Sequence, residues 1–320
     1  PNERFQEDYL RMVRAARFAA KMDGHIDPAA FSAIQKNAHL IGKISPERIR
    51  DELLKLMSYP KPSQGFEWLH KTNLLFYIMP EMEQGYGVMQ NRFHADDVAR
   101  HNLYAVDSVS PRYPFLRFIT LLHDLGKTPA KRYNPNKGDY VFYGHQYISK
   151  RMALRVMRRL RFSNKQIEMA SAIIENHMYN LKPDLSEGAT RRFINRLGRE
   201  YVEPFLRMRM ADRSGNRLNR DEYERGIFHF NRQLRKIDHE ESALKIPDLE
   251  ITGHDLMTMG LEPGPIFRKI LELLLEEVLD DPSINTRDYL LQRAKQLAAD
   301  PTVLQYQPSS QKEEDENGFD

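Results

Sequence analysis

Apolar residues along this chain recur every three or four positions almost from end to end, and that spacing commits it to helices. Over residues 7–22, Tyr9, Met12, Val13, Ala16 and Ala20 fall on one helical face. Ser45-Pro46 puts a capping residue before a proline at the first helical position, predicting a helix to about Met57. Ser163-Asn164-Lys165-Gln166 is a capping box that opens a helix to about His177. Ile266, Ile270, Leu273, Leu274 and Val278 form the apolar stripe of another. No segment alternates as a strand would, so the expected fold class is all-α. Breaks fall at residues 59–63, 134–138, 182–184 and 263–265. They suggest a helical amino-terminal unit over 1–59, a helical body over 60–230, a small helical tail over 231–299 and a disordered acidic terminus over 300–320.

Composition narrows the chemistry. The chain has no cysteine, which excludes disulfides, thiolate metal sites and a cysteine nucleophile together. No stretch approaches the roughly 18 uninterrupted apolar residues of a membrane span. The amino terminus has no signal-like segment and no initiating Met, so the expectation is a cytoplasmic protein and a piece of a longer chain. Net charge is only +3, but residues 150–220 hold 17 Lys and Arg against 7 Asp and Glu. That asymmetry points to a polyanionic partner.

The strongest chemical signal is the series His101, His123-Asp124, His145, His177 and Asp212. Adjacent side chains on a helix point about 100° apart, so a His-Asp pair suits an ion lying beside a helix packed among others. Imidazole and carboxylate together suit a divalent transition metal or magnesium, with positions left open for water and phosphate. Such an ion activates water for attack on phosphorus. Lys127, one turn beyond His123, is placed to reach a phosphate oxygen.

The block Leu121-Leu122-His123-Asp124-Leu125-Gly126-Lys127 resembles the signature of the HD superfamily of metal-dependent phosphohydrolases. The resemblance implies that His101, His123, Asp124 and Asp212 hold a first metal and that His145 and His177 complete a second. His123, Asp124 and Lys127 are then the catalytic group, and the cofactor is a divalent metal (Mg, Mn, Ni or Co).

Near the amino terminus, Asp8 and Arg11 are three residues apart on a helical face, the spacing of a salt-bridge pair. The same two groups also match a base edge, because a carboxylate accepts from an exocyclic amine while a guanidinium donates beside it. The run 4–19 resembles the neck of bacterial-type tRNA CCA-adding enzymes and their poly(A) polymerase relatives. By that resemblance Glu7, Asp8 and Arg11 select CTP and then ATP. Arg48 and Glu52, in Pro46-Glu47-Arg48-Ile49-Arg50-Asp51-Glu52-Leu53, brace the nucleotide pocket. Residues 248–257, with Gly260 and Pro263-Gly264-Pro265, resemble the tail of the same family, and the likeness runs to about residue 299.

The resemblance implies a partner, the 3′ end of tRNA or another RNA, and CCA or A addition as the parent activity. It also implies a polymerase head upstream. Nothing before Arg4 corresponds to that head, so this chain is expected to bind and select rather than polymerise. Lys150, Arg151, Arg155, Arg158, Arg159 and Arg161, on a helix with Met152, Val156 and Leu160 on its apolar side, are the expected RNA-backbone contacts. Two alternatives stay open: a stand-alone HD-family nucleotide phosphohydrolase, and a non-catalytic RNA-binding module with a structural metal.

Overall fold

A computed structural model describes residues 2–92, 96–213, 220–240 and 242–306. The expected acidic segment beyond residue 306 lies outside them, while Pro301–Leu304 forms a helical turn capped by Asp300. Helices dominate, as the apolar spacing predicts. Pro46–Met57, Asn164–Asn176 and Pro265–Asp280 sit where their caps and stripes put them. Ser163 accepts from the Gln166 amide and Gln166 reaches back, a complete capping box.

Three readings are corrected. The helix expected over residues 7–22 is two helices, Asn2–Glu7 and Leu10–Lys21. The Asp8 carboxylate accepts the Leu10 backbone N–H at 3.1 Å, a local bond that competes with helix continuation. Second, the break at 134–138 is the turn of a β-hairpin that pairs Arg132–Asn134 with Asp139–Val141, Tyr133 opposite Tyr140. Three-residue strands are too short for alternation to register. Third, the compact units do not follow the expected boundaries. One comprises residues 1–180 and 200–220, the other 181–199 and 221–320. The helix Arg220–His239 runs straight through the expected 230/231 boundary.

In the first unit, Leu10–Lys21 packs on Pro46–Met57 and Pro62–Lys71, with Met12, Val13, Leu53, Leu56, Met57, Phe66 and Leu69 buried among them. The approach is close at Gly65, where a Cβ would overlap the Leu56 side chain. Arg117, on the helix Pro114–Leu122, holds the chain at residues 57–59. It is 1% exposed and donates to the carbonyls of Val109 and Met57 at 2.7 Å each, and to that of Tyr59. A buried cation thus caps the carboxyl end of Pro46–Met57 and ties it to the next layer. That layer, Val98–Ser108, Pro114–Leu122, His145–Arg159, Asn164–Asn176 and Val202–Arg213, surrounds the histidines.

In the second unit, Glu187–Leu197 and Arg287–Ala298 pack against Pro265–Asp280. Its core includes Leu256, Ile270, Leu274, Val278, Leu290 and Ala294, all buried. No helix among the described residues is long and apolar enough to cross a membrane.

Candidate metal centre

The helix Pro114–Leu122 stops one residue before the His-Asp pair, and His123 is its C-cap. Ending the helix there resolves the geometric problem of two adjacent ligands, because residues 123–126 form a turn. His123 Nε2 and Asp124 Oδ2 approach to 3.3 Å. Gly126 seats this turn: its N–H donates to Ser149 Oγ at 2.9 Å, and a Cβ there would overlap the His145 carbonyl and the Ser149 amide. Its φ is −70°, so the position demands space rather than a special conformation.

The other histidines arrive from helix ends and faces. His145 opens His145–Arg159 just after Gly144, whose φ of 71° suits glycine. His177 is the C-cap of Asn164–Asn176. His101 lies within Val98–Ser108, and Asp212 near the end of Val202–Arg213.

Three imidazoles are oriented by the same device. Nδ1 of His123, His145 and His177 each lies 2.7 Å from the carbonyl oxygen three residues earlier, of Thr120, Phe142 and Ile174. A carbonyl only accepts, so each Nδ1 donates, and each Nε2 faces inward. His101 Nε2 and His123 Nε2 lie 3.1 and 3.2 Å from Asp212 Oδ1. Asp124 is shared. Its Oδ2 faces His123 and His101, at 3.3 and 3.7 Å, and its Oδ1 lies 3.1 Å from His145 Nε2 and 3.3 Å from His177 Nε2. The donors therefore form two groups, His101/His123/Asp124/Asp212 and Asp124/His145/His177, each with its ligand atoms within 4.8 Å of one another.

Burial and neighbouring charges act against each other at this cluster. Burial disfavours charge on His123, but the carboxylates of Asp124 and Asp212 outweigh it and raise its pKa to about 10. Burial likewise opposes ionisation of Asp124, yet His123 and Lys127 hold it well below the ordinary carboxylate range. Asp212 is held low against its own burial chiefly by His123 and His101. Burial pushes His177 down to about 4, so its ring is neutral near pH 7. Asp124 Oδ1 is buried and makes no hydrogen bond, and His145 Nε2 faces His177 Nε2 at 3.2 Å. Acceptors turned on one another in a buried site fit a cation between them.

Sequence reasoning missed the supporting residues. Gln90 accepts from Lys127 Nζ at 2.8 Å, while the same ammonium lies 2.7 Å from Asp124 Oδ2. Lys127 is buried on these two partners rather than reaching outward. Arg209 donates to Asp212 Oδ2 at 2.9 Å, a pairing its three-residue spacing signals. Arg207 pairs with Glu203 and lies over Tyr113.

In the neck, Arg11 pairs with Glu7 at 2.5 Å rather than with Asp8, and Asp8 takes Arg48 at 2.8 Å. Glu52 is buried on Arg17 at 2.6 Å and Lys55 at 2.9 Å, and Arg17 also donates to the Tyr59 hydroxyl. Glu7 and Arg11 thus sit in one group with Arg4, Asp8 and Arg48 form a separate pair, and Glu52 lies in a third group with Arg17 and Lys55. On the basic helix, Lys150 pairs with Glu175 and Arg159 with Glu81, while Arg161 lies beyond the helix at φ 57°. Arg151, Arg155 and Arg158 are exposed and follow Tyr147 along one stripe.

Residues 25–85 match the family described as "Probable RNA and SrmB- binding site of polymerase A", and residues 142–294 match "tRNA nucleotidyltransferase domain 2". An A-adding tRNA nucleotidyltransferase of Deinococcus radiodurans is 30% identical over 86% of this chain and 65% of its own length. A CC-adding tRNA nucleotidyltransferase of Thermus thermophilus is 26% identical over 86% of this chain and 63% of its own. A solved CCA-adding enzyme in complex with CTP aligns over 94% of this chain and 62% of that one, at 15% identity and a TM-score of 0.49. The chain spans just under two thirds of the length of these curated relatives. By these matches the chain belongs to the bacterial-type CCA- and A-adding tRNA nucleotidyltransferase family.

Proposed function

We propose that this chain is the neck, body and tail part of a tRNA nucleotidyltransferase, holding tRNA and selecting CTP or ATP, and that its His/Asp centre is a metal-dependent phosphohydrolase. The observation that carries the second part is the common orientation of His123, His145 and His177. Each Nδ1 is tied to a backbone carbonyl, and the inward nitrogens converge on Asp124, whose Oδ1 has no hydrogen-bond donor.

His101, His123, Asp124 and Asp212 would hold one divalent cation, and Asp124, His145 and His177 a second. A divalent ion held there supplies Lewis acidity toward a phosphoryl oxygen and activates water. The protein's own part is orientation. Carbonyls of Thr120, Phe142 and Ile174 hold the imidazole tautomers, Arg209 holds Asp212, and Lys127 neutralises part of the buried carboxylate charge. His177 stays neutral near pH 7 and keeps its inward lone pair. The substrate class is phosphate esters of nucleotides or RNA ends, cyclic or terminal.

In the neck, Asp8 would accept from the exocyclic amine common to cytosine and adenine, with Arg11 donating beside it. Glu7 and Arg48 hold the two groups in place. Arg151, Arg155 and Arg158, exposed along the basic helix, would meet an RNA backbone.

The test is hydrolysis of a 2′,3′-cyclic nucleotide and of a phosphate monoester with Mg, Mn, Ni or Co, beside Asp124→Ala. Activity that disappears in the variant supports the reading. Undiminished activity in Asp124→Ala, or none in the wild type with any of these ions, overturns the phosphohydrolase assignment. For the neck, Asp8→Ala is expected to weaken CTP and ATP binding, and unchanged binding refutes that pocket.

A further inference from the structure

The hairpin of residues 132–141 has no part in the assignments above, yet its position and surface are unusual. It leaves the chain just after Lys127–Ala130, and its second strand ends at Val141, four residues before His145. Four residues of chain reach at most about 14 Å, so the hairpin is rooted beside the donor groups of the His/Asp centre. A two-stranded ribbon is marginal by itself and needs anchors. Here Lys131 Nζ donates to the Met89 carbonyl at 2.6 Å, and the Arg92 N–H donates to Asp139 at 3.2 Å.

What it presents to solvent is aromatic. Tyr133 and Tyr140 are cross-strand partners on one face, 59% and 41% exposed, with ring centroids 5.7 Å apart in an edge-to-face arrangement. Tyr143, 68% exposed, follows directly. Cations accompany the rings: Lys131 Nζ lies 4.2 Å from the Tyr140 centroid, and Lys137 Nζ 5.4 Å from that of Tyr143. Arg132 adds a further exposed positive charge. Exposed rings interleaved with Lys and Arg match the two things every single-stranded nucleic acid offers, a stacking face on each base and a charged backbone. A duplex hides its base faces and would gain only the electrostatic part.

We propose that this hairpin is a stacking platform for single-stranded RNA, with Tyr133 and Tyr140 taking bases and Lys131, Arg132 and Lys137 taking phosphates. Resting on the phosphohydrolase reading, it would hold a strand whose terminal phosphate ester lies at the His/Asp centre, making RNA ends rather than mononucleotides the preferred substrates.

Binding of a labelled, unstructured RNA of about eight nucleotides, followed by fluorescence anisotropy on the full chain, decides it. The double variant Tyr133→Ala/Tyr140→Ala is expected to weaken binding about thirtyfold or more, as loss of stacking on two rings requires. Tyr133→Phe/Tyr140→Phe, which keeps both rings, is expected to stay within about twofold of wild type. A short RNA duplex is expected to bind the Ala variant and wild type alike. Unchanged affinity of the Ala variant for the single strand overturns the proposal and leaves the tyrosines as a face for a protein partner. Equal weakening for the duplex overturns the single-strand preference. Hydrolysis of a cyclic mononucleotide by the wild-type chain is read separately, so failure of the phosphohydrolase reading leaves the RNA-binding result interpretable.

Discussion

Gly126 donates its backbone N–H to the Ser149 hydroxyl at 2.9 Å, and the two backbones approach so closely that no side chain fits between them. This contact holds the His-Asp turn against the helix that begins with His145. Gly126→Ala is therefore expected to destabilise the chain by about 1–3 kcal/mol through overpacking and to weaken divalent-ion binding as the two donor groups separate. Ser149→Ala, which leaves the buried Gly126 N–H without its acceptor but keeps the space, should cost about 1–3 kcal/mol while disturbing ion binding less. Urea unfolding of both variants checks the cost, and metal titration checks the order.

Arg117 is a buried cation that donates to the main-chain carbonyls of Val109, Met57, Tyr59, Pro60 and Asp107. Arg117→Leu would leave the carboxyl end of Pro46–Met57 and the chain at Tyr59 unpaired in the interior. The expected loss is about 3 kcal/mol or more. A change below about 1 kcal/mol in urea unfolding would refute the role of Arg117 as the tie between these layers.

Glu52 gives a pH-dependent prediction. Burial alone would raise its pKa, but the hydrogen bonds from Lys55 and Arg17 outweigh it and hold the carboxyl below the ordinary value of 4.5. Because the folded pKa is the lower one, the ionised pair contributes its stability above about pH 4.5 and loses it as pH falls through the folded value. Glu52→Gln should then be clearly less stable than wild type at pH 7, with the gap narrowing toward pH 3. Urea midpoints across that range check it, and a constant gap would contradict the assignment.

The Asp8–Arg48 pair is half exposed, so it adds little to folding. Arg48→Ala should change stability by less than about 1 kcal/mol. If Arg48 positions Asp8 for a base edge, the same variant should weaken CTP and ATP binding several-fold in calorimetric titration. Loss of stability without loss of nucleotide affinity would mark the pair as structural.

Much of this was legible in the residues themselves. The Ser163 capping box, the Pro265–Asp280 stripe and the order His101, His123-Asp124, His145, His177, Asp212 all read through because each signal is local or tied to residue chemistry. What did not read through depends on partners distant in sequence. Nothing near Arg159 announces that Glu81 will take its guanidinium, and nothing near Lys127 announces Gln90. The break at Asp8 was hidden because the apolar spacing continues past it while a side-chain bond to the Leu10 amide interrupts the helix. The hairpin was hidden because its strands are three residues each.

Asp124 turns one carboxylate oxygen toward each of two groups of inward-facing imidazoles, and each group is proposed to hold a divalent cation. Calorimetric titration of the metal-free chain with Mn and Ni, beside Asp124→Asn, tests it most directly. The account predicts two equivalents bound per wild-type chain, with both sites weakened together in the variant because each uses one Asp124 oxygen. A wild-type chain that binds neither ion, or an Asp124→Asn chain that binds as the wild type does, would contradict it.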